Sequence, residues 1–383
     1  MTHAFRPSAF TSLRPVILLA ALATALASPS CAQERPSSDS SFAGLVARLS
    51  ETGGYFDSDN IISNESSYLQ VASQFAKAGT HGGVYIGVGP DQNFSYIALV
   101  RPSIAFMLDI RRDNMLEHLL FKSIFAQSRN RVEYLCRLFG KPIPADVESW
   151  NSRSVGLIIA YLQQTPTDSA SVQAYRRASN DRITGFRVAL DTRDRTVIDR
   201  YRAEFVADGL DTRYSSLGRN NRMDYPTFGQ LMLATDRAGK LIGYLADEEA
   251  FQFVRSMQLH DRIVPVVGNV AGDKAVKAIG AYAREHGLKV SGFYLSNVEQ
   301  YLLTRDGGFD EYAANVKTLP HDSTGVIIRS YFGRFGMSHP LFTPNRGTIS
   351  ASMIERFDSF LKRVQAGEIR TYPDLVFSGF VQP

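Results

Sequence analysis

The stretch HGGVYIGVGPDQNFSYIALVRPSIAFMLDIRRDN, residues 81–114, decides the fold of this chain. Residues 84–87 form a short apolar, β-branched run that predicts a strand. The run enters Gly87-Val88-Gly89-Pro90, where two glycines permit a tight turn and a close approach of backbone to a ligand. Residues 94–100 suit a helix, which Pro102 ends. Residues 104–108 make a second apolar strand and deliver Asp109 at its C-terminal end. Gly87 and Asp109 are 22 residues apart, close to the roughly 20 between the glycine turn and the ribose-binding acid of a Rossmann βαβ unit. Strand, turn, helix, strand and acid, in that order, predict a nucleotide-type site at the ends of two parallel strands.

The third glycine of the dinucleotide fingerprint is missing, because Gln92 stands in its place. Asp91 occupies the helix N-terminus that would otherwise cradle a phosphate, and a carboxylate there repels pyrophosphate. An adenosyl ligand without phosphate fits these residues better, and S-adenosylmethionine, with its sulfonium and ammonium groups, is such a ligand. The segment resembles motif I and the acidic strand end of class I S-adenosylmethionine-dependent methyltransferases. It is similar, more closely, to a group of bacterial exported proteins carrying runs like YFDSDNIISNE, GVYIGVGPDQNFSYI and DIRRDN, a resemblance that brings no activity with it. The methyltransferase resemblance implies a Rossmann-like α/β fold with a mostly parallel sheet flanked by helices. It also implies cofactor contacts from Gly87, Val88, Gly89, Pro90 and Asp91 in the turn, and from Asp109, Ile110 and Arg111 at the strand end. The segment before the first strand often lines the pocket in that family, which adds Asn64 and Glu65.

The chain has 383 residues, 44% of them hydrophobic, enough for one large domain or two small ones. Residues 1–32 read as a signal peptide, with Arg6 and Arg14 before an apolar run too short to span a bilayer. Ser30-Cys31-Ala32 offers small residues for cleavage, and the residues before Cys31 lack the leucine usual in lipoproteins. The reading is export to the periplasm or beyond, with residues 33–383 as a single α/β domain. Removing two arginines and no acids lowers the net charge from +4 to +2, which is not the footprint of a nucleic-acid binder. Cys136 is then the sole cysteine, so neither an intramolecular disulfide nor a cysteine metal cluster can form. No later run approaches the roughly 20 apolar residues of a membrane helix.

Phe42, Leu45, Val46 and Leu49 have helical spacing, and Gly53-Gly54 is the expected stop. Asp57, Asp59 and Asn60 look superficially like a calcium loop, but the glycine and terminal glutamate of an EF-hand are absent. Ser63 or Asn64 is the expected cap of a helix over residues 66–78, and Asp113-Asn114 that of a helix from Met115 to Phe125. Arg111 or Arg112 is placed to pair with Asp109. Residues 141–225 break the α/β alternation and predict a mostly helical insertion, a lid or substrate-selecting cap. Residues 214–224 within it read as an exposed loop. Strands follow at 263–267, 289–295 and 325–331, helices at 227–234, 247 onward and 273–286, and an amphipathic helix at 350–364.

Ligands in open α/β sheets bind beyond the carboxyl ends of the strands. That rule gathers the glycine turn, Asp109, Gly268-Asn269 and the run Ser296-Asn297-Val298-Glu299. In the resembled methyltransferases a polar side chain after the third strand holds the adenine amine, and Asn269 stands in that place. Ser296 and Asn297 match the motif where cofactor and substrate meet, with helix capping as the alternative for Asn297. Gly268-x-x-x-Gly272-Asp273-Lys274 is one residue short of a P-loop and lacks its Ser or Thr. No nucleophile elbow, HExxH or paired-histidine site occurs. The expectation is a methyltransferase-like protein binding a small adenosyl ligand, with a non-catalytic exported binding or interaction protein on the same fold as the alternative. Export sits uneasily with S-adenosylmethionine, and neither acceptor nor oligomeric state is legible.

Overall fold

Val84, Ile86 and Val290 are wholly buried residues of strands whose every position is inaccessible to solvent, the burial pattern of a parallel sheet covered on both faces. The structure, a computed structural model, describes residues 41–216, 225–304, 308–333, 338–342 and 350–383. The expected leader with Cys31 and positions 217–224 of the expected loop lie outside the described residues. Six strands form one sheet: β1 (Val84–Gly87), β2 (Ile104–Asp109), β3 (Ile263–Val267), β4 (Val290–Tyr294), β5 (Val326–Phe332) and β6 (Ser350–Arg356). Their order is β3-β2-β1-β4-β5-β6. All neighbours run parallel except β5 and β6. The chain is α/β, with a mostly parallel sheet compatible with a Rossmann-like fold. The strand order reverses between β1 and β4, and crevices open at such switch points.

Right-handed crossovers put successive helices on one face while the chain moves one way across the sheet, and on the other when it turns back. After α1 (Phe42–Leu49) at the β3 edge and α2 (Ala72–Ala78), the first face carries α3 (Asn93–Val100) and α4 (Arg112–Phe125). Next come α5 (Arg131–Phe139), α6 (Val155–Gln164), α7 (Ser169–Gly185) and α8 (Thr192–Asp208). Of these, α7 and α8 pack on α4 and α5 rather than on the sheet. Then α9 (Phe228–Met232) leads to α10 (Glu248–Leu259), which rests on α3 and α4. The return direction supplies α11 (Ala275–Glu285), α12 (Val298–Leu303), α13 (Gly308–Lys317), α14 (Phe357–Gln365) and α15 (Tyr372–Val376). No described helix is long and apolar enough to cross a membrane.

Several local expectations need correction. Residues 350–356 are a strand, with only 357–365 helical. Every β6 residue from Ser350 to Arg356 pairs with β5, and its polar groups are buried because they have partners there. Ser352 faces Ser330 at 3.1 Å, while Glu355 binds Arg329 at 2.7 Å. Residues 66–78 begin with a 3₁₀ turn at Tyr68–Val71, and Ser63 accepts from the Glu65 N–H instead of capping a helix. Helix α4 starts at Arg112, so Asp113 lies in its first turn and Asn114 is buried within it. Helix α1 ends at Leu49, four residues before Gly53. The insertion is helical, but α7 and α8 cover α4 and are no lid: of its described residues only Tyr214 and Tyr225 line the cleft.

Candidate functional site

Tyr85 starts the construction of the glycine turn. Its hydroxyl donates to Asn93 Oδ1 at 2.7 Å, and Asn93 Nδ2 donates to the carbonyls of Val88 and Pro90, both at 2.9 Å. A Cβ at Gly87 would lie 2.0 Å from Asn93 Oδ1, and Gly89 has φ +81°. Both glycines are therefore required by geometry. From below, buried His118 bonds the Gly89 carbonyl through Nε2 at 2.9 Å. A carbonyl only accepts, so Nε2 carries the proton, and burial holds the ring neutral by lowering its pKa to about 4.

Above this turn lies a cleft of about 510 Å³, within the range of small-molecule sites. Its walls include Asn64, Glu65, Val88, Gly89, Pro90, Asp109, Ile110, Arg111, Gly268, Asn269, Ser296 and Asn297. These residues span 234 positions of sequence and meet here because all sit at or near the carboxyl ends of strands or precede β1. Gly87 and Asp91 do not line it. Gly87 is covered by Asn93, and Asp91 turns inward, where Tyr244 donates to its Oδ2 at 2.8 Å. Burial pushes the Asp91 carboxyl up to about 6, against the pull of Tyr244 and of the N–H groups of residues 91 and 92. The turn leading into α3 thus carries the chain's own carboxylate on its inner side, and Gln92, not Asp91, faces the cleft.

The same thing happens at β3. Glu51 accepts from the N–H groups of Asn269 at 2.7 Å, Lys274 at 3.2 Å and Ala275 at 3.3 Å. The near-P-loop at residues 268–274 therefore holds a side-chain carboxylate where a phosphate would sit. Asn269 Oδ1 accepts from the Ala271 N–H at 3.0 Å, so one of its two acceptor positions is already used. That narrows its expected service to an adenine amine.

Asp109 is more structural than its position at the strand end implies. It accepts from the Arg111 N–H at 2.8 Å, from Arg111 Nε at 3.3 Å and from Nη2 at 3.4 Å. A carboxylate has about four acceptor positions, so one remains, on Oδ2. Arg111 also donates Nη1 to the carbonyls of Ser58 at 2.8 Å and Asp59 at 2.6 Å, tying the 55–60 segment to the strand end. Arg111 is the one cation among the described lining residues, and four of its five side-chain N–H donors are committed.

Glu65 is the most enclosed group of the site. It is wholly buried, accepts from the Tyr294 hydroxyl at 2.7 Å, and also receives the hydroxyls of Ser296 and Ser330. Burial raises its pKa and the hydroxyl donors partly offset that. Gln92 donates to Tyr294 and continues the network. Ser296 has φ +53° and Asn60 φ +52°, two left-handed non-glycine residues that both line the cleft, and strain of this kind concentrates at functional sites.

The sequence reading missed Gln92, Tyr294 and the aromatic walls, of which Phe56 and Tyr301 meet edge to face at 5.1 Å and Tyr214 and Tyr225 at 5.2 Å. A signal existed in YFDSDN, where Tyr55 and Phe56 flank a polar turn, but aromatic residues in loops read equally well as core. Among the described residues no group of three or more His, Cys, Asp or Glu could hold a metal ion. Cys136 is buried, its thiol pushed up to about 12.

No curated protein matches the chain. The family model described as Domain of unknown function (DUF7790) matches residues 60–375, a span that takes in all six strands and the cleft from Asn60 to Phe332. The chain belongs to that family.

Proposed function

We propose that this protein is methyltransferase-like and binds S-adenosylmethionine or a related adenosyl ligand in the cleft between β1 and β4. One observation carries the reading: the two loops that would cradle a phosphate, after β1 and after β3, hold carboxylates of the chain, Asp91 and Glu51. Phosphate-bearing nucleotides lose their usual cradle there, while a cationic adenosyl ligand does not need it. The donor set fits such a group. Asp109 offers its remaining acceptor position to a ribose hydroxyl, and the Gly268–Val270 backbone borders the place for a base. On this reading the sheet is the class I methyltransferase-like variant of the Rossmann-like fold. Bound S-adenosylmethionine would supply an electrophilic methyl group. The chain's part is to orient the ligand and to exclude water with its aromatic walls.

A second reading, a non-catalytic exported binding protein, has its own support. No His, Cys or Lys is among the described lining residues, which leaves Glu65 as the main candidate for proton transfer. Calorimetry with S-adenosylmethionine, S-adenosylhomocysteine, NAD and ATP tests the first reading, with binding expected for the first two only. An absence of heat from both sulfur ligands overturns it. Transfer of a labelled methyl group to candidate acceptors then separates enzyme from binder. Cell fractionation, with the protein expected outside the cytoplasm, tests export.

A further inference from the structure

Two halves of the cleft differ in chemistry. On the β2–β3 side stand Asp109, Ile110, Gly268 and Asn269. On the β4–β5 side stand Glu65, Tyr294, Ser296, Phe332 and Tyr301, with Phe56 packed edge to face on Tyr301 at 5.1 Å. Glu65 is completely inaccessible yet borders the cleft, whereas Phe56 and Tyr301 are only half-buried. The half-site therefore has a carboxylate at its floor and aromatic rings nearer its mouth.

The Glu65 carboxylate is a built feature. Tyr294 donates to Oε1 at 2.7 Å, and the hydroxyls of Ser296 and Ser330 also point at it. Behind them Ser352 bonds Ser330 at 3.1 Å and Ser67 at 3.0 Å, so the orientation is locked from β6 and from the segment before α2. Among the described lining residues no cation pairs with it, since Arg111 is spent on Asp109 and on two backbone carbonyls. A desolvated carboxylate attracts a cation, and aromatic faces attract organic cations beyond what their area gives.

We propose that the β4–β5 half of the cleft is a second binding site for a small organic ammonium ion, with Glu65 as counter-ion and Phe56, Tyr301 and Phe332 as walls. The inference rests on the preceding one only for calling this ammonium compound the acceptor substrate. The site itself is independent of what fills the β2–β3 half.

The test titrates the full chain at neutral pH with 2-phenylethylamine and with 2-phenylethanol, in the absence of any adenosyl compound. The ammonium probe should bind at least about tenfold more tightly than the alcohol. Glu65→Gln should reduce that preference to about twofold or less, because the buried charge that favours a cation through space is lost. Phe56→Ala, at a half-buried position outside the core cluster, should weaken the ammonium probe about fivefold or more even if Glu65→Gln does not fold. Equal affinity for the two probes, absence of ammonium binding, a preference surviving in folded Glu65→Gln, or undiminished binding in Phe56→Ala would each overturn the proposal. Failure of the adenosyl reading would appear separately, as silent S-adenosylmethionine titrations alongside intact amine selectivity.

Discussion

Replacing Asp109 by alanine removes three things in one step: the partner of the Arg111 guanidinium, the acceptor for the Arg111 N–H, and an oxygen facing the cleft. Both side chains are about nine-tenths buried, so the widowed guanidinium should cost about 3 kcal/mol of stability. Asp109→Asn keeps an acceptor for the N–H and should cost less, which makes it the better variant for titrating ligand. Urea unfolding of the two checks the order, and an Asp109→Ala protein as stable as wild type contradicts the pairing. Two further buried groups titrate in opposite senses. Asp91 in the folded state has its pKa at about 6, above the ordinary 3.8, so its contribution is present below about pH 4 and is lost as pH rises through 6. Asp91→Asn should therefore gain on wild type between pH 4 and 7, by at most about 3 kcal/mol. His118 is lowered from 6.5 to about 4, so its contribution holds above 6.5 and is lost as pH falls toward 4. His118→Gln, which keeps a donor for Gly89, should gain on wild type in that acid direction. Denaturation midpoints from pH 4 to 7 decide both, and pH-independent differences would refute the assignments.

At the scale of elements, α8 shows how local chemistry fixes a boundary. Asp191 accepts from the Asp194 N–H at 2.8 Å and Asp194 accepts from the Asp191 N–H at 3.0 Å, a reciprocal capping box. Asp194 also holds Arg112 at 2.7 Å, so the start of α8 is pinned to the start of α4. Asp191→Ala should cost about 1 kcal/mol, read as a shift of the urea midpoint at unchanged slope. The strand β6 teaches the opposite lesson. Its polar–apolar alternation runs only from Ser350 to Met353 before Ile354 breaks it, and Met353, Ile354, Phe357 and Phe360 mimic a helical stripe. Ser350 and Ser352 reach Ser67 on one face while Glu355 reaches Arg329 on the other. Only the unpaired edge of β5 makes a strand of this segment.

Across the molecule, the sheet is stitched from behind by one buried cation. Arg329 on β5 is wholly inaccessible and bonds Glu299 before α12 completes its first turn, and Glu355 on β6 at 2.7 Å. Tyr312 on α13 donates to Glu299 at 2.8 Å, and Arg363 on α14 joins Glu355 at 2.9 Å. Arg329→Met would leave two buried carboxylates short of a partner and should cost about 3–5 kcal/mol. A loss below about 1 kcal/mol by chemical denaturation would be inconsistent with this network.

What the sequence determined by itself was the first βαβ unit and the places of β1 to β5. Glycine turns, apolar runs and proline stops act over a few residues, and a window of that size contains their whole cause. The gathering of Gly89, Asp109, Asn269 and Ser296 around one cleft was also legible, because parallel strands put their carboxyl ends at one edge. The tertiary structure alone decided what these groups do to one another. It turned Asp91 inward to Tyr244, 153 residues away, and closed Glu65 under Tyr294 and Ser330, 229 and 265 residues away. It set Glu51 in the loop after β3, 218 residues from Asn269. A carboxylate's role follows from the donors that reach it and the water that does not, and both are properties of the packed chain.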